Sequence, residues 1–180
     1  MTRVVAIVQA RMGSSRLPGK VLADIGGKPM LVRVIGRLEQ CKKIDKIVVA
    51  TTTHQEDDEL AWLMVRVNGR AVLIRPNVAP DDVLARYVDA ARHYDADIVV
   101  RVTADCPLID PGVVDQTVAA LLDDPLADYV SNVIERTYPR GLDVEVFWLD
   151  TLLRLDRYAE RHEDREHVTR YLLRAGKPFF

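Results

Sequence analysis

The amino-acid sequence predicts an α/β protein with a mostly parallel β-sheet flanked by helices. Two observations support this fold class: short runs of apolar and β-branched residues recur along the chain, and segments with helical spacing of apolar residues lie between them. Alternation of this kind is typical of strand–helix–strand units. The 180 residues contain no linker and no shift in composition, so we expect a single domain, residues 1–180.

Six segments are predicted to be strands. The earlier ones are continuous apolar runs, which are typical of parallel strands buried on both faces. The pattern of the last two is less regular. The predicted strands are residues 4–8, 47–50, 71–74, 98–102, 129–133 and 144–148.

Helices are predicted between these strands and after the last of them. Apolar residues from Met30 to Leu38 recur at helical spacing after Pro29, which suits a helix start. Asp110 is expected to cap a further helix that begins at Pro111. The other predicted helical segments are residues 56–66, 81–94 and 151–174.

Composition and charge exclude several classes of protein. A chain that is 48% apolar and 29% charged is neither disordered nor collagen-like. Its 25 basic and 27 acidic residues give a net charge of -2, so we expect no nucleic-acid and no membrane partner. The apolar run near the amino terminus is too short for a signal sequence or a membrane span, which predicts a cytoplasmic protein. The two cysteines form no C-x-x-C pair and therefore indicate neither a zinc ribbon nor a redox pair.

The ends of three predicted strands mark the places where a ligand is expected. Open α/β sheets bind ligands beyond the carboxyl ends of their strands. The segments concerned are residues 9–20, 51–58 and 103–110, after the first, second and fourth predicted strands.

The first of these segments, QARMGSSRLPGK, predicts a phosphate site. Its glycines let the backbone approach an anion closely, and its hydroxyls and cations can surround that anion. The alternative is a solvated basic loop. The residues that carry the prediction are Arg11, Gly13, Ser14, Ser15, Arg16, Gly19 and Lys20.

This loop fits neither of two common phosphate motifs. A P-loop has four residues between its glycines and a Ser or Thr after its lysine. Here five residues separate Gly13 from Gly19, and Val21 follows Lys20. The G-x-G-x-x-G fingerprint of dinucleotide-binding proteins is also absent. We therefore expect phosphate binding of another kind.

Asp105 is the candidate metal ligand of the third segment, RVTADCPLIDP. It follows a buried strand, where a carboxylate faces the ligand crevice, and Mg²⁺ prefers carboxylate and phosphate oxygens. The alternative is a loop carboxylate that caps nearby backbone N–H groups. Asp110 is expected to be a helix cap rather than a ligand, and Cys106 a packing residue rather than a nucleophile.

Two acidic residues in a later stretch, TYPRGLDVEVF, are candidates for a second metal-binding arm. A period of two places Asp143 and Glu145 on one face of the predicted strand, opposite Val144 and Val146. The alternative is a solvent-facing edge strand.

The segment HEDREH, residues 162–167, does not match the zinc motif H-E-x-x-H. Its two histidines are five residues apart, which on a helix places them about 140° apart around the axis. We therefore expect a solvated helix face there.

Seven segments together resemble the cytidylyltransferases of nucleotide-sugar synthesis, the family that includes CMP-KDO and CMP-sialate synthetases. The closer resemblance is to the spore-coat polysaccharide cytidylyltransferase-like branch. The opening loop combined with the ADCPLID element is highly specific, whereas each other segment alone is weak. The segments are VQARMGSSRLPGK, VVATTTHQEDDE, PDDVLARY, DIVVRVTADCPLIDP, DYVSN, TYPRGLDVEVF and REHVT.

The resemblance implies a GT-A-like nucleotidyltransferase fold and transfer of CMP from CTP to a sugar, with release of pyrophosphate. The reaction would serve the synthesis of surface polysaccharide or glycan precursors. The acceptor would be an acidic keto-sugar reacting through its hydroxyl or a sugar phosphate reacting through its phosphate. Mg²⁺ is the implied cofactor, with Asp105 as its ligand and Asp143 as the candidate second ligand.

The resemblance also implies roles for individual residues. Arg11, Lys20 and Asp105 would be the catalytic residues, the two cations neutralising phosphate charge. The implied nucleotide-binding residues are Gln9, Ala10, Arg11, Gly13, Ser14, Ser15, Arg16, Lys20, Arg75 and Asp82. The candidates for acceptor binding are Arg140 and Glu145, and Arg101 is a further candidate for a second basic patch.

The end of the sequence leaves alternatives open. Members of the family usually continue for some tens of residues beyond REHVT, whereas this chain ends at GKPFF, so we expect it to lack a C-terminal portion. A non-catalytic nucleotide-sugar binding module and a nucleotidyltransferase that uses another nucleoside triphosphate are the alternative functions. The resemblance also implies a homodimer.

Overall fold

The computed structural model describes residues 2–14, 17–67 and 69–175. Within these ranges the chain forms one six-stranded sheet with the order β3-β2-β1-β4-β6-β5. The strands are β1 (Val4–Gln9), β2 (Lys46–Ala50), β3 (Ala71–Ile74), β4 (Ile98–Thr103), β5 (Tyr129–Ser131) and β6 (Glu145–Trp148).

Most of the strand pairs in this sheet are parallel. β1 lies between β2 and β4 and is parallel to both, and β2 is parallel to β3. β6 is antiparallel to its two neighbours, β4 and β5. The prediction of a mostly parallel sheet flanked by helices is therefore confirmed. The last two strands are shorter than predicted, because β5 ends at Ser131 and β6 begins at Glu145.

Seven α-helices accompany the sheet in the described ranges. None of the helices within these ranges is long and apolar enough to cross a membrane. The helices are α1 (Met30–Leu38), α2 (Asp58–Arg66), α3 (Val83–His93), α4 (Pro111–Asp123), α5 (Leu149–Tyr158), α6 (His162–Glu166) and α7 (Arg170–Ala175).

The prediction of one helical segment over residues 151–174 was wrong, because the chain forms three helices there, α5, α6 and α7. At the first break, the Arg165 guanidinium donates hydrogen bonds to the carbonyls of Asp156 and Ala159, both at 3.2 Å, and so satisfies the end of α5. At the second break, the buried Val168 has a φ of 46°. A β-branched residue in this left-handed conformation cannot continue a helix.

Two apolar layers cover the two faces of the sheet. In β1, Val4, Ala6 and Val8 face the layer that contains residues of α1, α2 and α4. Val5 and Ile7 face the layer that contains residues of α3, α5 and α7. Burial on both faces explains why the central strands show continuous apolar runs rather than alternation.

Asp110 caps α4 as predicted, because its Oδ1 accepts hydrogen bonds from the backbone N–H groups of Gly112 at 2.8 Å and Val113 at 3.1 Å. We expect Asp110→Ala to lower the free energy of unfolding by about 1 kcal/mol, the usual contribution of such a cap. Asp123→Ala, at the exposed carboxyl end of the same helix, is the control and should cause no loss. Urea denaturation of the three proteins measures the difference, and equal stability of Asp110→Ala and wild type would contradict the capping contribution.

Candidate active site

A cavity of about 380 Å³ opens at the carboxyl edge of the sheet, where β1 and β4 end side by side. We call it the first cavity. β1 and β4 are parallel neighbours with Gln9 opposite Thr103, so the segments that follow them meet here. The lining residues are Gln9, Ala10, Arg11, Ser14, Lys20, Val21, Val83, Tyr87, Arg101, Thr103, Ala104, Asp105, Glu166 and His167.

The structure brings predicted site residues from two distant segments into this cavity. Those that line it are Gln9, Ala10, Arg11, Ser14, Lys20 and Asp105. Ser15 and Arg16 lie outside the described residues. Gly13 belongs to the loop after β1 but does not line the cavity, and a Cβ at this position would be 3.1 Å from Oε1 of Glu56. The close approach of Glu56 is a physical reason for a glycine there.

Lys20 and Asp105 form an ion pair inside the first cavity. The distance from Lys20 Nζ to Asp105 Oδ2 is 2.6 Å, although 85 positions separate the two residues in the chain. Burial raises the pKa of Asp105, but hydrogen bonds with Lys20 and Thr103 outweigh burial, and the pKa lies below its usual value. The carboxyl group is therefore ionised at neutral pH and can bind a cation.

Residues 51–58, the second segment at which a ligand was expected, hold the loop after β1 in place and do not line the first cavity. The carboxylate of the buried Asp57 accepts hydrogen bonds from the Met12 backbone N–H at 2.7 Å and from the Thr52 hydroxyl. The Thr52 backbone N–H donates to the same carboxylate at 3.3 Å. These bonds fix the loop that carries Arg11 against the end of β2.

Arg11 connects the loop after β1 to two other parts of the rim. Its Nη1 donates to the Pro80 carbonyl at 3.3 Å, and its Nη2 lies 3.6 Å from Oε1 of Glu166.

Glu166 and His167 line the first cavity. The predicted solvated face was wrong for Asp164, which is buried, whereas His162, Glu163 and His167 are exposed. The REHVT segment was part of the family resemblance, but spacing alone gave no sign that its side chains enter the site.

Ion pairs hold α6 against the turn before α3. His162 Nε2 lies 2.6 Å from Asp81 Oδ2, and Arg165 Nε donates to Asp82 Oδ2 at 2.8 Å. Arg165 also contacts Asp156 Oδ1 through Nη2 at 2.8 Å. With the Arg11–Glu166 contact, these pairs place the short helix at the rim of the first cavity.

Arg75 and Asp82, predicted to bind the nucleotide, are absent from the lining of the first cavity in the described ranges. Arg75 Nη1 contacts Asp58 at 2.7 Å, and its other nitrogens donate to backbone carbonyls of the segment after β2. Asp82 caps α3 by accepting from the Ala85 backbone N–H at 3.0 Å and pairs with Arg165. Both side chains hold segments around the cavity together.

The cysteines lie in packed surroundings. Cys41 and Cys106 are both buried. Burial raises the pKa of both thiols, that of Cys41 to about 12. Neither thiol is a thiolate nucleophile at neutral pH.

A second cavity of about 310 Å³ adjoins the first. The two cavities share Arg101, Thr103 and His167, which therefore form the wall between them. The remaining lining residues of the second cavity are Val133, Arg136, Asp143, Glu145, Thr169, Arg170 and Leu173.

Asp143 and Glu145 both face the second cavity, in different surroundings. Arg136 binds Asp143 through both terminal nitrogens, at 3.0 and 3.1 Å. Glu145 is buried on β6, an inner strand between β4 and β5, so the alternative of a solvent-facing edge strand was wrong. Arg140 is exposed and, in the described part of the chain, lines neither cavity.

The donor set of the first cavity fits a magnesium ion held partly by a substrate. Among the described residues, no group of three or more His, Cys, Asp or Glu side chains is placed to hold a metal. Mg²⁺ is usually bound through one or two carboxylates together with substrate phosphates and waters. Asp105 is such a carboxylate: it lines the cavity, and its side chain is 44% exposed.

A mostly parallel sheet with a cation-bearing loop and a cavity at its carboxyl edge is the arrangement of α/β proteins that bind their ligands beyond the ends of the strands. Comparison with known proteins identifies the family within this class. The chain belongs to the cytidylyltransferase family, whose model matches residues 5–178. The resemblance seen in the sequence is therefore confirmed.

Two curated relatives represent the two branches that the sequence resembles. A 3-deoxy-manno-octulosonate cytidylyltransferase of Trichlorobacter lovleyi is 36% identical over 123 residues, covering 68% of this chain and 46% of the relative. The spore coat polysaccharide biosynthesis protein SpsF of Bacillus subtilis is 31% identical over 177 residues, covering 96% of this chain and 70% of the relative. The matched region is thus about half of the first relative and over two thirds of the second.

Solved structures show the same fold. A cytidylyltransferase from Leptospira borgpetersenii has a TM-score of 0.92 and 36% identity, covering 99% of this chain and 74% of that chain. A CMP:2-keto-3-deoxy-manno-octonic acid synthetase complexed with CTP has a TM-score of 0.72 and 25% identity, covering 97% of this chain and 87% of that chain. The nucleotidyltransferase-like fold class predicted from the sequence is confirmed.

The His162–Asp81 pair gives a testable pH dependence. The hydrogen bond and charge of Asp81 raise the pKa of His162. Because the folded-state pKa is raised, the contribution of the pair to stability is full below the unfolded-state value of about 6.5 and is lost as the pH rises through the folded-state pKa. We expect Asp81→Asn to return the pKa of His162 towards its ordinary value in an NMR titration of the imidazole signals.

Asp123→Asn is the control for this titration, because Asp123 is exposed at the far end of α4. It should leave the His162 titration unchanged. An identical His162 titration in wild type and Asp81→Asn would show that the pair does not form in solution.

Proposed function

We propose that this protein transfers a CMP unit from CTP to a sugar acceptor and releases pyrophosphate. The observation that carries the proposal is the meeting of Arg11, Lys20 and Asp105 in one cavity of a cytidylyltransferase-family chain. A volume of about 380 Å³ is within the range of small-molecule sites. The relatives' names, a cytidylyltransferase for an acidic sugar and a synthetase complexed with CTP, support the same reaction.

In this proposal the triphosphate of CTP lies against the loop after β1. The Lys20 ammonium and the Arg11 guanidinium bind phosphate oxygens, and the Ser14 hydroxyl donates a hydrogen bond to them. Both cations now contact carboxylates, Asp105 at 2.6 Å and Glu166 at 3.6 Å. Phosphate oxygens would replace these carboxylates as partners, so the cations exchange one negative partner for another rather than losing solvation outright.

Asp105 is the residue that would hold Mg²⁺ in the first cavity. A bound magnesium ion supplies charge neutralisation and polarises the α-phosphate. Release of Lys20 towards the phosphates would leave Oδ2 of Asp105 available to the metal. Asp143 is bound by Arg136 in the second cavity, so the geometry supports Asp105 before Asp143 as the ligand.

The second cavity is the proposed acceptor site. It shares a wall with the first cavity, which supports an acceptor bound there next to the CTP of this proposal. An acceptor oxygen forms a bond to the α-phosphorus from that side while the bond to the oxygen that bridges the α- and β-phosphates breaks. Pyrophosphate leaves towards Lys20 and Arg11, and an acceptor that reacts through a hydroxyl releases its proton to solvent. Holding both reactants in line supplies much of the catalysis in phosphoryl chemistry.

Calorimetric titration with CTP, UTP, GTP and ATP, each with and without Mg²⁺, tests the nucleotide half of the proposal. We expect CTP to bind most tightly and Mg²⁺ to strengthen its binding, because Asp105 and the phosphates share the metal. Asp105→Asn should abolish the effect of Mg²⁺, whereas Asp89→Asn, exposed on α3, should keep it.

Pyrophosphate release with 3-deoxy-manno-octulosonate and with sugar phosphates completes this test. Release supports the transferase. CTP binding without release for any acceptor would favour the non-catalytic binding module, and preference for another triphosphate would favour a different nucleotidyltransferase. Absence of all nucleotide binding would overturn the proposal.

Replacement of Lys20 tests the charge stabilisation in the transition state. We expect Lys20→Ala to lower kcat by about 10²–10³, the usual cost of removing one such donor. Its unfolding midpoint should stay close to that of wild type, because Lys20 is partly exposed and its ion pair contributes little to stability. Lys28→Ala, in an exposed turn, is the matched control. Turnover by Lys20→Ala at the wild-type rate would remove Lys20 from the mechanism.

A further inference from the structure

Arg101 lies in the wall between the two cavities. It is on β4, where Val100 and Val102 pack into the apolar layer on the opposite face of the sheet. Alternation along the strand therefore places Arg101 and Thr103 on the same face. Both residues, with His167, line the first and the second cavity.

Glu145 holds Arg101 from the neighbouring strand. The two residues are directly opposite in the antiparallel pairing of β4 with β6, and Arg101 Nη1 donates to Glu145 Oε2. The other carboxylate oxygen, Oε1, accepts hydrogen bonds from the Tyr129 hydroxyl at 2.7 Å and the Thr169 hydroxyl at 2.6 Å. Glu145 is buried, and its carboxylate is held by three donors, so it cannot turn away from Arg101.

The guanidinium of Arg101 keeps donors that the protein does not use. A guanidinium has five N–H donors in a planar fork. Arg101 Nη1 binds Glu145, and the guanidinium also interacts with the Tyr87 hydroxyl, whereas the buried Nε has no hydrogen-bond partner in the part of the chain that the structure describes. Such a donor is costly unless a ligand or water accepts from it.

The other two arginines of the second cavity are placed differently. Arg136 uses both terminal nitrogens on Asp143, and Arg170 contacts Glu163 at 2.6 Å. Neither of them lines the first cavity. Of the arginines in the described lining of the second cavity, only Arg101 also reaches the site proposed for CTP.

We infer that Arg101 is a specificity-determining residue that binds the anionic group of the acceptor, and that Glu145 is a positioning residue that acts through Arg101. This inference rests on the proposed nucleotidyl transfer. The planar fork of arginine matches a carboxylate or a phosphate better than a lysine does. An acceptor anion held in the shared wall lies next to the α-phosphate of CTP.

The test measures binding of 3-deoxy-manno-octulosonate and of its uncharged methyl ester, in the absence of nucleotide. We expect wild type to bind the acid more tightly than the ester. Arg101→Lys keeps a positive charge beside Glu145 and should still reduce acid binding about 10-fold or more, because the fork is lost. Arg92→Lys, exposed on α3, is the matched control and should bind as wild type does. Thermal denaturation of each variant confirms that it is folded.

A double-mutant cycle tests the positioning by Glu145. Glu145→Gln should weaken acid binding in the wild-type background and have no further effect in Arg101→Lys. Equal weakening in both backgrounds would overturn the positioning role, because a merely structural effect would be additive.

Unchanged acid binding in Arg101→Lys, or equal binding of acid and ester by wild type, would overturn the inference for Arg101. CTP affinity, measured in the same proteins, separates the two proposals. Failure of wild type to bind CTP would count against the proposed function. The preference of Arg101 for the acid is measured without nucleotide, so its loss would count against the inference for Arg101 alone.

Discussion

The parallel pairing of β1 with β4 is the constraint on which the candidate site depends. The paired residues run to Gln9 opposite Thr103, so both strands end at the same level of the sheet. Only this register allows the loop that carries Lys20 to contact Asp105 across 85 positions of sequence. A slip of one residue along β4 would turn Arg101 and Thr103 into the apolar layer on the opposite face. The register of β1 and β4 therefore determines both the packing of the sheet and the residues that line the two cavities.

Cations at the two cavities are paired with carboxylates, but the pairs differ in their freedom to separate. Three of these pairs are Lys20–Asp105, Arg11–Glu166 and Arg101–Glu145. In the first two, the carboxylates are partly exposed and the pairs face open space, so a phosphate can replace them at modest cost. In the third, the carboxylate is buried and held by two hydroxyls, and breaking the pair would leave a buried charge. In the proposed reaction the first two cations change partner, while Arg101 keeps its place.

The sequence predicted the parts of this protein that depend on local pattern. The central strands were found because burial on both faces leaves a continuous apolar signature, and Asp110 was found because a helix cap depends on neighbouring residues. The division of residues 151–174 into three helices depends on contacts made by Arg165 and on the backbone of Val168. Likewise, Glu166 lines the cavity and contacts Arg11. A contact between residues so far apart in the chain cannot be predicted from the local spacing of residues.

The two cavities draw on different parts of the chain, and this division suits the proposed chemistry. Much of the first cavity comes from residues 9–14, 20–21 and 103–105, at the ends of long, strongly patterned strands. The second comes largely from residues 133–145 and 167–173, around short strands and interrupted helices. A triphosphate has a fixed arrangement of charges, whereas sugar acceptors differ in shape and charge. The short strand β5 and the last helices take no part in the pairing of β1 with β4, and Arg101 lies where the proposed acceptor site adjoins the proposed CTP site.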